Sequence, residues 1–305
     1  MPEGDSPTVA RRRVRLALRE AREKADLTQL QVADEMEWSL SKVIRIENGD
    51  VSISPNDLRP LLAFLGIRDR PTVAALIGDA RIARTRQRQA WFQLPEFREN
   101  LTDATRKLIE YEHEAAQMRS YSVYYIPGPL QTPDYARALM TRFEDELSDA
   151  QMSRRIEARK LRRESLLTRA QSGQVRIAVM LDESVLRRTI GGATVFAAQL
   201  RELRRLIDAG TITMRMVPFS LDAAVTNNAS FDLLVLGEGE VLYRETGLSD
   251  EMIEDRDVTA KHRARWNKVW DEVADEAATL AFIDRQIKIL ENPIEAYGRQ
   301  PPLPD

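Results

Sequence analysis

The side chains that most often do chemistry are scarce here: the 305-residue chain has two histidines, His113 and His262, and no cysteine. Thiolate nucleophiles, disulfide frameworks, thiolate zinc sites and thiol redox switches are therefore excluded. Imidazole acid–base work and zinc ligation have little to draw on. Asp182-Glu183 is an adjacent carboxylate pair, but its place at a strand end before a helix makes Asp182 a capping residue first. Ser184 has no histidine at a suggestive spacing. Gly191-Gly192 lacks the G-x-G-x-x-G and P-loop spacings that cradle a phosphate. Tyr121, Tyr124 and Tyr125 with Trp91 could line a ligand pocket, although aromatics on a strand are more often core. No catalytic, cofactor or metal site is expected, and enzyme activity is not expected, because function has to be argued from a site.

One stretch carries a different chemistry, that of recognition. Glu35 to Asp50 reads EMEWSLSKVIRIENGD. As a helix it holds too many aliphatic residues to be solvated all round and too many cations to be buried. Val43 and Ile46 lie three apart on one face. Arg45, on another, either pairs with Glu47 or Asp50 as an ordinary surface cation or donates to something outside the chain.

The elements that must position this stretch are legible around it. With 43% hydrophobic and 30% charged residues the composition is that of a soluble globular protein of about two domains. No window approaches the roughly 20 apolar residues of a membrane span, so a cytoplasmic protein with no membrane partner is expected. The net charge is −3, and sign asymmetry says more: arginines gather at Arg11 to Arg15, Arg81 to Arg88 and Arg154 to Arg163, acids at Glu251 to Asp257. Val14, Leu18, Ala21 and Ala25 recur at helical steps. Thr28 with Gln31 forms a capping box, with Val32, Ala33 and Met36 as the core face of the next helix. Ser39 caps the recognition stretch and Asn48-Gly49 ends it. Ser54-Pro55-Asn56-Asp57 opens a further helix, with Leu58, Leu61, Leu62 and Leu65 inward and Gly66 closing it.

Two short helices joined by a turn of about three residues within an all-helical unit form a helix-turn-helix. Leu27-Thr28-Gln29, Val32-Ala33 and Ser39 to Gly49, in order from about Val14 to Ile67, resemble the phage-repressor-like, xenobiotic-response-element type of bacterial transcription regulator. The resemblance implies that Val43 and Ile46 pack inward while Leu40, Ser41, Ile44 and Arg45 face the DNA major groove. There Arg45 would read a base, typically guanine through O6 and N7. Ile44, where a polar residue is more typical, could contact a thymine methyl. Gln29 and Lys42 look like phosphate contacts, which position without reading sequence. Leu40 and Ile44 would equally suit an intermolecular helix contact. Glu37 stands where the family usually has glycine, which costs roughly 1 kcal/mol at positive φ and points to a distorted turn. Trp38 is expected to plug the core beside that turn.

Beyond residue 68 the expectation is a helical connector over 69–92, an α+β domain over 93–291 and a flexible tail over 292–305. A helix from Leu101 to Met118 gives way to a period-two run through Tyr121, Val123 and Tyr125. Helices are expected at Ser153 to Arg169, Thr194 to Asp208 and, as one long rod, Asp257 to Leu290; strands at Val175 to Leu181, Thr211 to Val217, Phe231 to Leu236 and Glu240 to Arg244. The Arg154 to Arg163 helix reads as a solvated amphipathic one. The fold class is thus α+β: an all-α five-helix helix-turn-helix domain, then a larger mixed domain. Ile126-Pro127-Gly128-Pro129-Leu130-Gln131-Thr132 to Leu139, with Val179 to Arg188, Gly191-Gly192 and Met216 to Phe219, resembles the large, mostly uncharacterised C-terminal domain that follows this helix-turn-helix in many bacterial regulators.

Together these resemblances imply a sequence-specific DNA-binding transcription regulator acting as a homodimer on double-stranded DNA. They also imply a C-terminal domain that receives a signal from a small companion protein in an antitoxin-like relationship. Two other readings stay open. One is an antitoxin-like protein that neutralises that companion. The other is a sensor gated by a small-molecule effector in a pocket near Tyr121 and Tyr125.

Overall fold

The computed structural model of the protein describes residues 7–85, 91–143, 148–221, 229–237, 239–245 and 250–292. The chain divides into two compact units, 1–90 and 91–305.

The first unit is built from five helices: α1 (Pro7–Lys24), α2 (Gln29–Glu35), α3 (Leu40–Asn48), α4 (Pro55–Phe64) and α5 (Arg70–Ile82). Local chemistry sets their ends. Thr28 and Gln31 form the reciprocal capping box at α2, and the hydroxyls of Ser39 and Ser54 accept the N–H of Lys42 and Asp57. The core is the apolar face of every helix, Val14, Leu18, Val32, Ala33, Val43, Ile46, Leu58, Leu61 and Leu62 among them. Ala33, 1% exposed, has the small side chain that lets α2 and α3 approach. The segment expected to be a connector, 69–92, is divided. α5 adds Leu76, Ile77 and Ala80 to the first core and packs on α1 and α4, whereas Trp91 and Phe92 begin the second unit. Residues 86–90 of that segment, and 293–305 of the expected tail, lie outside the described residues.

The second unit carries a six-stranded mixed sheet in the order β3-β2-β1-β4-β5-β6, made of β1 (Gln117–Ser122), β2 (Arg176–Asp182), β3 (Thr213–Val217), β4 (Phe231–Leu236), β5 (Gly239–Glu245) and β6 (Asp250–Ile253). β1, β2 and β3 run parallel; β4, β5 and β6 join antiparallel. Helices cover both faces, as the near-continuous apolar run of β2 requires. After the short α6 (Pro95–Arg98), α7 (Asp103–Glu114), α8 (Pro133–Phe143), α9 (Asp149–Gln171), α10 (Gly192–Asp208) and α12 (Glu276–Glu291) share the larger core with Met118, Val179, Leu181, Met214, Leu234 and Val241. α11 (Arg256–Glu272) lays Trp266 and Val269 on the other face, against Tyr121, Met180, Leu233 and Leu242.

Two sequence expectations are corrected, and one strand was not expected. The helix read as Leu101 to Met118 ends at Glu114, and Met118 is already in β1, which pairs with β2 from Gln117; Val123 and Tyr125 lie past that strand. The long final helix is two. It breaks at Val273-Ala274-Asp275, where Ala274 bridges to Met216 and the Asp275 carboxylate caps α12 through the N–H of Ala278. β6 has four half-buried residues and no alternation strong enough to read.

The proline-glycine stretch 126–132 is held by buried polar groups. Gln131 Nε2 donates to the carbonyl of Ile126 at 2.7 Å, and Gln199 of α10 accepts from Thr132 N–H at 2.6 Å while donating to the Leu130 carbonyl at 2.9 Å. The Tyr135 hydroxyl accepts the N–H of Ile126 at 3.3 Å. Its residue types serve structure, because each buried backbone group of the loop needs a partner.

Candidate functional site

α3 divides its nine residues between two environments. Val43, Ile46 and Glu47 are buried, while Ser41 and Arg45 are exposed, Leu40 is 40% exposed and Ile44 half-buried. Within the first unit the edge formed by Leu40, Ser41, Ile44 and Arg45 therefore faces outward while Val43 and Ile46 anchor the helix from behind. These are the four positions expected to face a groove, and the structure brings them onto one edge. Leu30, 54% exposed on α2, is a large apolar side chain in the same helix pair that the sequence reading did not single out.

The turn between α2 and α3 is well formed despite its missing glycine. Glu37 adopts φ 54°, and Trp38 N–H reaches the Ala33 carbonyl at 2.8 Å while Glu37 N–H reaches Asp34 at 3.2 Å. This is the paired bonding of a Schellman ending, so the expected distortion is absent and the strain is carried by one residue. The same pair of bonds closes α1 at Asp26, φ 55°, and α3 at Gly49, φ 80°. Trp38 is half-buried against the first core.

Glu47 is occupied from elsewhere. Arg22 grips it through Nε and Nη2 at 2.7 and 3.0 Å, and Gln29 Nε2 donates to it at 2.8 Å. The hydrogen bond between Arg22 and Glu47, working against burial, raises the pKa of Arg22. Gln29, expected at a phosphate, thus spends one amide hydrogen on holding α2 to α3 and keeps a second. Arg45 does not pair with Glu47. The Lys42 ammonium stands 3.7 Å over the Trp38 ring and 3.3 Å from Asp57 Oδ2 of α4, on a partly exposed surface. The ion pair, both of its side chains more than a third exposed, is of the weak surface kind. The arginine run of α1 turns largely inward: Arg12 and Arg15 are buried, Arg13 bonds Asp79 of α5 at 2.7 Å and Arg11 bonds Ser52.

The second unit has a cavity of about 440 Å³ between α9 and the sheet. From α9, Arg155, Arg159 and Arg162 line one wall at helical spacing; from the strands, Asp232, Tyr243 and Asp250 line the other. The helix read as a solvated amphipathic one keeps Arg154, Glu157, Lys160 and Glu164 in solvent, as that reading has it, but turns Arg155, Arg159 and Arg162 to the cavity. Arg162 is fixed by a bidentate pair with Glu112 of α7, both contacts 2.6 Å. Burial works against its charge, Glu112 together with Asp232 and Tyr243 outweighs burial, and the pKa of Arg162 is raised. Of the aromatics that could line a pocket, Tyr125 borders the cavity, and Tyr124 and Trp91 are not among its lining residues. Tyr121 borders it from β1, but its ring packs on Phe231 on the far face of the sheet. Asp182 caps the turn after β2 through Ser184 N–H at 2.9 Å, and Glu183 is tied to Arg187 and to Phe219 N–H.

The five-helix unit with one outward recognition edge defines a helix-turn-helix protein of the DNA-binding regulator class, and residues 14–76 match the family described as a helix-turn-helix domain. Residues 105–285, more than half the chain, match the family described as Domain of unknown function (DUF5753); the chain belongs to that family. No curated protein matches it, and no solved structure does.

Proposed function

We propose that the protein is a sequence-specific transcription regulator that lays α3 in the major groove of double-stranded DNA. Arg45 is its chief base reader, Leu40, Ser41 and Ile44 complete the groove-facing edge, and Gln29 and Lys42 lie on phosphates. The observation that supports this is the division of α3: an outward edge with an exposed guanidinium, backed by two buried aliphatic anchors. Binding as a homodimer at half-sites about 34 Å apart belongs to the same proposal, as does a second unit that acts by binding rather than by catalysis. Selection of bound fragments from random duplex DNA tests the reading. Enrichment of a short two-fold symmetric motif is expected; retention of all sequences alike would overturn it.

The second unit is proposed to receive the signal, and its cavity favours a small-molecule effector. In the rival reading, the protein neutralises a small companion. A stoichiometric small protein co-purifying with the full chain would support that reading.

A further inference from the structure

The cavity of the second unit has opposite charge on opposite walls. Arg155, Arg159 and Arg162 stand at i, i+4 and i+7 of α9 and so form one stripe of that helix. Asp232 and Tyr243 are direct partners across β4 and β5, and Asp250 is paired with Glu245 at the start of β6. Directly paired residues share a sheet face. Asp232 and Tyr243 therefore stand on the face that carries Leu234 and Val241 into the larger core, and Met252, two residues beyond Asp250, packs on that core too. It is the face toward α9. Ser122 and Ser230 add hydroxyls at its edge, and Leu108, Ile109, Leu139 and Met140 supply an apolar floor.

The charges nearly cancel. Arg162 is answered by Glu112, and Asp232, which also accepts the Ser120 hydroxyl, lies close enough to favour the charged form of Arg162. A plain anion would meet the carboxylates, and a plain cation the guanidiniums. Gly128 lets the loop come down on the cationic wall: a Cβ there would lie 3.2 Å from Arg162 Nη1 and 3.8 Å from Arg159 Nη1. The guanidiniums of Arg159 and Arg162 thus converge under that loop. The volume falls in the range of small-molecule sites, roughly 300–1,000 Å³.

We propose that this cavity binds a small zwitterion with an apolar body, of the size of an amino acid or dipeptide. Its carboxylate lies on Arg155 and Arg159 of α9, and its protonated amine on Asp232 and the hydroxyls of the sheet wall. Charge-assisted hydrogen bonds at both ends give the discrimination. This rests on the reading of the second unit as a signal receiver, and its test is independent of DNA. Titration calorimetry of the full chain without DNA uses a panel of apolar amino acids and apolar dipeptides, then the N-acetyl and C-terminal amide forms of the best binder. Saturable one-to-one binding is expected, with each blocked form weaker by roughly tenfold or more, the scale of a lost charge-assisted bond. Arg159→Gln and Asp232→Asn should reproduce those two losses, each in a chain that still unfolds in one cooperative transition. Binding of neither class, or a blocked form binding as well as its parent, would overturn the proposal; should either variant fail to fold, the blocked probes on the unaltered chain decide. A zwitterion that binds without changing affinity for the selected DNA motif would leave the site standing and remove the signal-receiving reading.

Discussion

At the scale of single residues, α3 shows how one helix serves two solvents. Arg45 and Glu47 are two positions apart and lead opposite lives: Glu47 is buried under Arg22 and Gln29, and Arg45 extends outward. Because Glu47 is already held by Arg22 and Gln29, that carboxylate does not compete for the guanidinium. Arg45→Ala should therefore cost about 1–3 kcal/mol on the selected motif and relax one base position. Lys42→Ala should weaken all sequences alike and reduce the slope of log affinity against log salt by about one. Binding assays at several salt concentrations on the motif and on a scrambled duplex separate the two roles, and identical profiles for the two variants would contradict the assignment. Asp57 and Trp38 hold the Lys42 ammonium in the free protein, so part of its phosphate contact is an exchange of partners.

At the scale of elements, helix endings set the geometry of the reading head. α1, α2 and α3 finish on the same pair of backbone bonds, and the left-handed residue is Asp26, Glu37 and Gly49 in turn. Gly49 is readable from sequence because glycine is the default there. Asp26 and Glu37 are not, because the tertiary packing of Leu27 and Trp38 after the turn holds each helix end in place regardless of its local preference. Glu37→Gly should relieve strain worth about 0.5–1 kcal/mol and raise the melting temperature with DNA affinity unchanged, read by thermal denaturation and by the same binding assay. A lower melting temperature would show that Glu37 has a role in the turn beyond its backbone. The break between α11 and α12 has a similar origin. Helical periodicity continues on both sides of it, and the interruption comes from Ala274 joining β3 and Asp275 capping α12.

At the scale of the whole molecule, the second unit depends on polar groups placed deep in its packing. Tyr135 is fully buried against Phe196 and its hydroxyl meets the N–H of Ile126. Burial pushes its phenol up to about 12 from 10.0, more than the Ile126 N–H and the charge of Arg188 pull it down. The folded state therefore holds this proton more tightly than the unfolded chain. The contribution is complete below pH 10 and is lost as pH rises toward 12. Tyr121, raised by burial and by Asp182, adds to the loss in the same direction. Melting temperatures between pH 9 and 12 should fall more steeply for the natural chain than for Tyr135→Phe; parallel curves would remove Tyr135 as a cause.

The sequence by itself determined the elements that obey local rules. The capping box at Thr28, the caps at Ser39 and Ser54, the glycine endings and the split faces of α3 arise from contacts within a few residues of each other. So does the outward edge of Leu40, Ser41, Ile44 and Arg45, because a helix edge is fixed by its period once its buried side is known. Only the tertiary structure decided where the arginines go. Arg13 meets Asp79, Arg22 meets Glu47 and Arg162 meets Glu112 across 66, 25 and 50 positions of chain, and no local signal tells such a cation from a solvated one. The cavity was decided the same way. Its two walls come from a helix and from strands that only sheet register brings opposite each other, and charge on each wall is ordinary until the other is in place.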